Sequence, residues 1–298
     1  MTTTTIARTT FWEVISSPLF VILALVGIVA VVILGIIPYF TLVLADDVKM
    51  FKDVAAAMTL FVALLLAVLS ASKVIDEEID NKTMLTLLSK PVLRGQIILG
   101  KFLGVCAAVA VVIGICGLII MIFAWVRPVW DRNIDMFSQG VEGFTAKLKD
   151  AFYPADHNIA ERRVNQWAHF WSVPPIVVLL FLQAAIMTAV SVAISTRLSM
   201  ALNVMICALI FVAGHMTSFL SLDGAWPKYL GVSALMTIIP QLEHFNITET
   251  LAYRSLGTAS CPWSLVWTYI GLVTVCAVLY CAAALLVGMA MFRTRELT

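Results

Sequence analysis

Ionisable side chains that could carry chemistry are concentrated at three places in this sequence. An acidic run, Asp76-Glu77-Glu78-Ile79-Asp80, opens a charged stretch at residues 72–101. His215 lies inside an apolar run, where an ionisable group marks a candidate functional site. Glu243 and His244 are adjacent on a later segment, and such a pair could transfer protons or bind a metal. Any enzymatic chemistry would therefore depend on His215, Glu243 and His244.

Metal-ligating residue types also occur close together at Asp156, His157, Glu161 and His169, but their spacing matches no compact ligand motif. The chain contains no Walker motif, no GxSxG, no HExxH and no dinucleotide fingerprint. Its six cysteines form no CxxC pair, and five of them lie inside apolar runs. We therefore expect no metal site, no bound cofactor and no catalytic residue in this chain.

Composition indicates an integral membrane protein. Of the 298 residues, 61% are hydrophobic and 12% are charged, and the mean hydropathy is +1.00. A soluble domain carries about 25% charged residues. The net charge of +1 gives no excess of basic residues of the kind that indicates nucleic-acid binding.

Six apolar runs can cross a bilayer, because about 20 helical residues span about 30 Å of hydrocarbon. These runs cover residues 18–44, 54–72, 97–125, 174–196, 200–222 and 265–292.

The sequence therefore predicts an all-α membrane protein with a single transmembrane domain, residues 1–298, and six spanning helices. An even number of spans puts both termini on one side. Basic residues are dense in the short segments of that side and tryptophans cluster at the opposite ends, so we expect cytoplasmic termini. On this topology residues 73–96 form a cytoplasmic loop. The outer segments are a solvated link at 45–53, a loop at 126–173 and two short helices within 223–262.

Residues 72–101 predict a short helix that lies along the membrane surface. Asp80 or Asn81 can cap a helix that begins at Lys82, because their side chains accept first-turn N–H groups. Pro91 ends this helix, since it disfavours helical geometry at the preceding residue. The apolar side chains between these ends are Met84, Leu85, Leu87 and Leu88. Such a rigid element, acidic at its start and basic at its end, could dock into a partner.

The same stretch resembles part of a known family. Its residues are Glu78, Lys82, Thr83, Met84, Leu87, Leu88, Ser89, Pro91, Val92 and Arg94, followed by Leu99-Gly100-Lys101. This pattern resembles the first cytoplasmic loop of the permeases of ABC-2-type ATP-binding-cassette exporters. There, a pattern close to E-x-x-x-G/K-T-L-x-x-L-L-S-x-P-V-x-R precedes L-G-K. Met84 replaces the usual Leu, and Lys82 stands at the position of a small Gly. Residues 7–20 and 292–297 are similar to that family's amphipathic first segment and its cytoplasmic tail.

The resemblance implies a type V exporter-like permease fold in the lipid of a bacterial cytoplasmic membrane, as a homodimer or heterodimer. It also implies that two copies of a separate ATPase bind ATP and Mg, so that this chain exports a substrate without being an enzyme. The residues that would form or orient the ATPase-coupling surface are Glu77, Glu78, Thr83, Leu87, Leu88, Pro91 and Arg94. The two short outer helices would plug the outer mouth, with Pro240, Glu243 and His244 at an outer gate.

Three local features have more than one interpretation. His215 is either an intramembrane polar site or a neutral imidazole that bonds a neighbouring helix through Thr217 or Ser218. The N-terminal segment 6–17 forms an amphipathic helix that either helps to seat a partner or only anchors the chain. The Gly100-x-x-x-Gly104 spacing permits close approach of another helix and favours packing within the bundle over a dimer seam.

Two other classes of function stay open beside the permease. One is a membrane enzyme or metal-handling protein that uses His215, Glu243 and His244. The other is a membrane scaffold that binds an ATPase and transports nothing. Resemblance at the level of the fold does not identify the substrate, because one fold serves many functions.

Overall fold

The computed structural model describes residues 2–37, 44–80, 94–134, 167–222, 240–245 and 263–293. Within these residues the chain is helical and contains no strand. The α-helices are α1 (Thr2–Ser16), α2 (Pro18–Ile36), α3 (Leu44–Asp80), α4 (Arg94–Ile134), α5 (Val173–Ser195), α6 (Met200–Leu222) and α7 (Trp263–Arg293). A short 3₁₀ helix, Leu242–Phe245, lies between α6 and α7 along the chain.

Five of these helices are long and apolar enough to cross a membrane, and α6 contributes a shorter apolar helix, Met200–His215. The apolar part of α4 has 33 residues. At 1.5 Å per residue that is about 50 Å, which is longer than the roughly 30 Å of bilayer hydrocarbon, so α4 extends beyond the membrane. The predicted all-α membrane fold is confirmed.

The boundary between α2 and α3 differs from the sequence-based spans. The sequence predicts one span over residues 18–44, whereas α2 ends at Ile36 and Ile37 is extended, with φ −69° and ψ 124°. Ile37 precedes Pro38, and the proline ring disfavours helical geometry in the residue before it. The link predicted at residues 45–53 instead forms the first turns of α3, in which Phe51 and Lys52 are buried.

The bundle is arranged around α5, which is the most buried of the spanning helices, while α2 and α7 are the least buried. Small residues set the distances between these helices. A Cβ added at Gly27 of α2 would lie 2.6 Å from Val62 of α3, and one at Gly288 of α7 would lie 2.9 Å from the Cα of Ala193 in α5. Because lipid is as apolar as the side chains, close packing rather than hydrophobic burial holds such helices together.

The amino-terminal helix α1 packs along the first turns of α4. A Cβ added at Gly100 would lie 2.8 Å from Cγ2 of Ile6, and one at Gly104 would lie 2.7 Å from both the carbonyl oxygen of Ala7 and Cβ of Thr10. The two glycines of α4 therefore admit the backbone of α1 at close range. Their spacing serves packing within the bundle, as the sequence predicts.

Ser17 separates α1 from α2. Its backbone is extended, and its hydroxyl accepts a hydrogen bond of 3.3 Å from the N–H of Phe20, while Pro18 occupies the first helical position. A serine cap followed by proline is a favoured start for a helix, because neither residue leaves a first-turn donor without a partner. Trp12 of α1 is 58% exposed rather than packed on the bundle, so the apolar face of α1 is only partly covered.

Candidate functional site

Most of the cross-helix polar contacts described below lie at one end of the bundle. There α3 ends, α4 begins and residues 196–199 turn from α5 into α6; we call this the loop end and the opposite end the far end. Glu77 and Glu78 lie in the last turn of α3, and Arg94 is the first residue of α4. Four further residues of the predicted coupling surface, Thr83, Leu87, Leu88 and Pro91, lie outside the described residues, as does the whole of the predicted surface helix.

Lys101 joins the two helices that flank this segment. Its side chain is only 2% exposed, and its ammonium group donates a hydrogen bond of 2.9 Å to the carbonyl oxygen of Val74 in α3. A buried ammonium group requires such partners, because the charge loses its hydration when it leaves water. α3 and α4 are therefore held together about two turns from the points where they meet the 81–93 segment.

Asn203 of α6 joins a second set of helices at the loop end. It is fully buried, and its Nδ2 donates to the hydroxyl of Ser72 in α3 at 2.6 Å and to the hydroxyl of Ser191 in α5 at 2.8 Å. Both hydroxyls donate in turn to the carbonyl oxygen of Val68, at 2.8 Å and 3.3 Å. The thiol of Cys207 donates to Oδ1 of Asn203 at 3.3 Å. We call these residues the Asn203 cluster.

Arg197 connects the turn between α5 and α6 to the end of α7. Its Nε and Nη2 donate to the carbonyl oxygen of Met291 at 3.1 Å and 3.0 Å. A cation at a helix C-terminus is favourable, because the last carbonyl groups there carry partial negative charge. The sequence marks Arg197 only as a basic residue of a tight turn, whereas the structure gives its guanidinium group a partner on another helix.

His215 bonds a neighbouring helix through Gln183, a residue that the sequence did not suggest. Its Nε2 lies 3.1 Å from Nε2 of Gln183 in α5, and its Nδ1 lies 3.0 Å from the carbonyl oxygen of Phe211. The carbonyl can only accept, so we assign the proton to Nδ1, and Nε2 accepts from the amide of Gln183. The side chains of Thr217 and Ser218 lie outside the described residues.

The predicted outer gate packs against α6 at the far end. Pro240 is buried, and its carbonyl oxygen would lie 2.7 Å from a Cβ added at Gly214. Glu243 and His244 are exposed on the 3₁₀ helix, where His244 lies 2.8 Å from Oε1 of Gln241 and its carbonyl accepts from the hydroxyl of Tyr269. Pro240 therefore lies next to Gly214, the residue that precedes His215. Among the contacts described, none joins the side chain of Glu243 or His244 to either of these two residues.

In the described part of the chain, no group of three or more His, Cys, Asp or Glu side chains is placed to hold a metal ion. Asp156, His157 and Glu161 lie outside that part, whereas His169 belongs to a buried contact at the far end. Lys52 of α3 donates to the hydroxyl of Ser172 at 3.1 Å and lies 3.4 Å from Nδ1 of His169. The hydroxyl of Ser172 donates to the carbonyl of His169 at 2.7 Å.

Sequence reasoning missed Asn203, Gln183 and Lys52 as contacts between helices. Each is a polar residue isolated in, or at the edge of, an apolar run, and such residues tend to face other helices because lipid offers no partner for them. That signal was available for Asn203 and Gln183. It identifies a buried position without identifying the partner, which depends on how the helices are rotated.

The bundle defines a polytopic helical membrane protein with polar contacts between its helices at both ends. Residues 6–148, close to half of the chain, match the family model of the ABC-2 family transporter proteins. No curated protein matches the chain. The matched region runs from α1 to beyond α4 and includes residues 72–101. The resemblance found in that stretch is confirmed, because the ABC-2 family model covers it.

Proposed function

We propose that this chain is the permease subunit of an ABC-2-type exporter, which forms a transmembrane pathway and takes its energy from ATP hydrolysed by a separate ATPase. The match of residues 6–148 to the ABC-2 family model supports a permease of an ABC transporter. On this proposal ATP and Mg bind the ATPase, and this chain holds no cofactor and catalyses no reaction.

The ATPase contacts the segment between α3 and α4. Its contact residues on this chain are Glu77, Glu78, Thr83, Leu87, Leu88, Pro91 and Arg94. The observation that carries the proposal is the hydrogen bond between Lys101 and the carbonyl of Val74, because it joins the two helices on which a displacement of this segment would act. Glu77 and Glu78 are within one turn of the end of α3, so a force on the segment reaches that helix directly.

The assembly consists of two permease copies, identical or related, and two ATPases in the cytoplasmic membrane of a bacterium. The loop end faces the cytoplasm, since the basic residues of the short segments lie there. Pro240, Glu243 and His244 then lie on the outer side, where they would form a gate at the mouth of the pathway. The substrate passes between the two copies.

The alternatives find less support in the described contacts. A membrane enzyme or metal-handling protein would need His215, Glu243 and His244 to act on one ligand. His215 instead bonds Gln183 and Phe211, and His244 lies within hydrogen-bond distance of Gln241. A scaffold would bind the ATPase as the permease does, so only vectorial movement separates these two functions.

Affinity purification of the tagged permease tests the assembly. We expect an ATPase encoded near its gene to co-purify in equal amount, and Glu78→Lys and Leu87→Asp to lose it while the chain still inserts in the membrane. If Glu78 forms a buried ion pair, reversal costs about 3–5 kcal/mol, a weakening of more than about 100-fold; an exposed pair is worth about 0–1 kcal/mol, less than about tenfold.

Glu243→Lys is the matched control for this experiment, because it makes the same charge change on an exposed residue at the far end. We expect this variant to retain the ATPase in full. Recovery of no ATPase with the unaltered chain would refute the permease assignment. Normal assembly and normal ATP-driven transport in both loop variants would show that residues 72–101 only connect two helices.

A further inference from the structure

We propose that Asn203 is a positioning residue that ties α6 to α3 and α5 at the loop end, so that a displacement of the 81–93 segment is delivered to α6. This inference rests on the proposed function, since it assumes that an ATPase acts on that segment. It adds a route for the displacement, from α3 across the bundle to a helix that does not flank the segment.

The hydrogen bonds of the Asn203 cluster form a closed arrangement. The amide nitrogen of Asn203 has two protons, and the hydroxyls of Ser72 and Ser191 accept one each at 2.6 Å and 2.8 Å. Both hydroxyl protons go to the carbonyl of Val68. Every strong donor in the cluster is therefore used, and all three helices must keep their relative positions for the arrangement to persist.

α6 also contacts its neighbours in an apolar cluster that includes Leu64 of α3 and Met187 of α5, and through the bond between His215 and Gln183. One of its faces is open, with Leu202, Met205, Leu209 and Val212 each 48–70% exposed. In lipid an exposed apolar face gives no force toward the bundle, because lipid tails are as apolar as the side chains. The position of α6 relative to α3 therefore depends strongly on the specific polar contact at Asn203.

Two other hydrogen-bonded contacts between helices lie at the same end of the bundle as the Asn203 cluster. Lys101 joins α4 to α3 through Val74, and Arg197 joins the turn before α6 to the end of α7. Ser72 lies eight residues before the end of α3, about 12 Å along the helix, and Asn203 lies four residues after the turn. Polar contacts thus connect α4, α3, α5, α6 and α7 at the loop end.

Asn203→Leu separates this positioning role from stability. Leucine has a similar size and removes the two amide donors, but the hydroxyls of Ser72 and Ser191 keep their bonds to the Val68 carbonyl. No strong donor is then left without a partner, and only the weak thiol donor of Cys207 loses its acceptor. We therefore expect the variant to fold and to bind the ATPase, but to lose the connection between α3 and α6.

Hydrogen–deuterium exchange on the reconstituted complex of permease and ATPase tests the inference. In the unaltered complex, binding of a non-hydrolysable ATP analogue should change the exchange of amides in residues 72–93 and in residues 196–203. In Asn203→Leu the change in 72–93 should persist and that in 196–203 should be lost, with ATP hydrolysis by the complex retained. The control Leu202→Val, on the exposed face of the same helix, should respond as the unaltered chain does.

Asn203→Ser gives a second variant should leucine not be tolerated, because its hydroxyl can bond back to the carbonyl of Ser199 and cannot bridge both serines. The same loss is expected. A nucleotide response that reaches residues 196–203 equally in the unaltered chain and in either folded variant overturns the inference and leaves the proposed function standing. Absence of ATPase binding or of any nucleotide response in the unaltered complex overturns the proposed function, and the inference with it.

Discussion

The contact between α1 and α4 allows a test of the packing in which one helix supplies both the variant and its control. Gly104 faces α1, and a Cβ there would lie 2.7 Å from the carbonyl oxygen of Ala7. Gly114, on the same helix, has no heavy atom within 4 Å of an added Cβ. Gly104→Ala and Gly114→Ala therefore make the same chemical change in a closed and in an open position.

The magnitude follows from the distance. Non-bonded carbon atoms are at their optimum at about 3.5–4.0 Å, so α1 must move away by about 1 Å to admit the new methyl group. A gap of about 0.5–1 Å forfeits a quarter to a half of each affected contact, and overpacking costs about 1–3 kcal/mol. Alanine also favours the helix by about 1 kcal/mol over glycine, but this gain is common to both variants and cancels in their difference.

Amide exchange in α1 measures the result. A loss of 1–3 kcal/mol in the docking of α1 should raise exchange in residues 2–16 of Gly104→Ala by roughly 5- to 150-fold over Gly114→Ala. Exchange in α5, which does not touch this contact, should be equal in both. Equal exchange of α1 in the two variants would show that α1 is not held by this contact, and would refute the reasoning from close approach.

Two further variants test polar contacts elsewhere in the bundle. Gln183→Leu removes the donor to Nε2 of His215, and we expect a loss of about 0.6 kcal/mol, at most about 1.7, in the free energy of unfolding by detergent titration in mixed micelles. An unchanged value would mean that the imidazole finds another donor. Arg197→Ala removes a cation from the end of α7 and should cost about 0.3–1 kcal/mol, seen as faster exchange in residues 288–293. Arg197→Lys keeps the charge but not the paired donors, so its exchange rate in residues 288–293 should lie between those of the unaltered chain and Arg197→Ala.

How much of this architecture the sequence could predict depends on whether the information is local. The number and type of the spanning helices follow from apolar runs, and the end of α2 at Ile36 could have been read from Pro38. The burial of Lys52 could not. Its neighbours Asp47, Lys49 and Asp53 give the segment the composition of a solvated link, and its partner Ser172 is 120 residues away.

The candidate site also has one part that local sequence predicts and one part that it does not. The stretch at residues 72–101, which we propose couples to the ATPase, is visible as a local pattern because its residues are consecutive. The Asn203 cluster draws its side chains from α3, α5 and α6, and no spacing in the chain links Ser72, Ser191 and Asn203. The sequence shows three small polar residues in apolar runs, and such residues tend to face other helices, although a serine hydroxyl can also bond the carbonyl four residues before it, as Ser72 does with Val68. Which of them meet is decided only when the helices are packed.

Polar contacts hold α3 in the bundle near both of its ends. At the far end Lys52 donates to Ser172, and at the loop end Ser72 accepts from Asn203, which also bonds Ser191 of α5. These two contacts are 20 residues apart on α3, about 30 Å, which is the thickness of the bilayer hydrocarbon. Between them lie buried apolar side chains of both helices, such as Leu66 of α3 and Leu179 of α5, for which lipid is an equally good partner. Polar contacts at the two membrane faces therefore fix the register of α3 against α5, so that a displacement applied at one end is carried along both helices together.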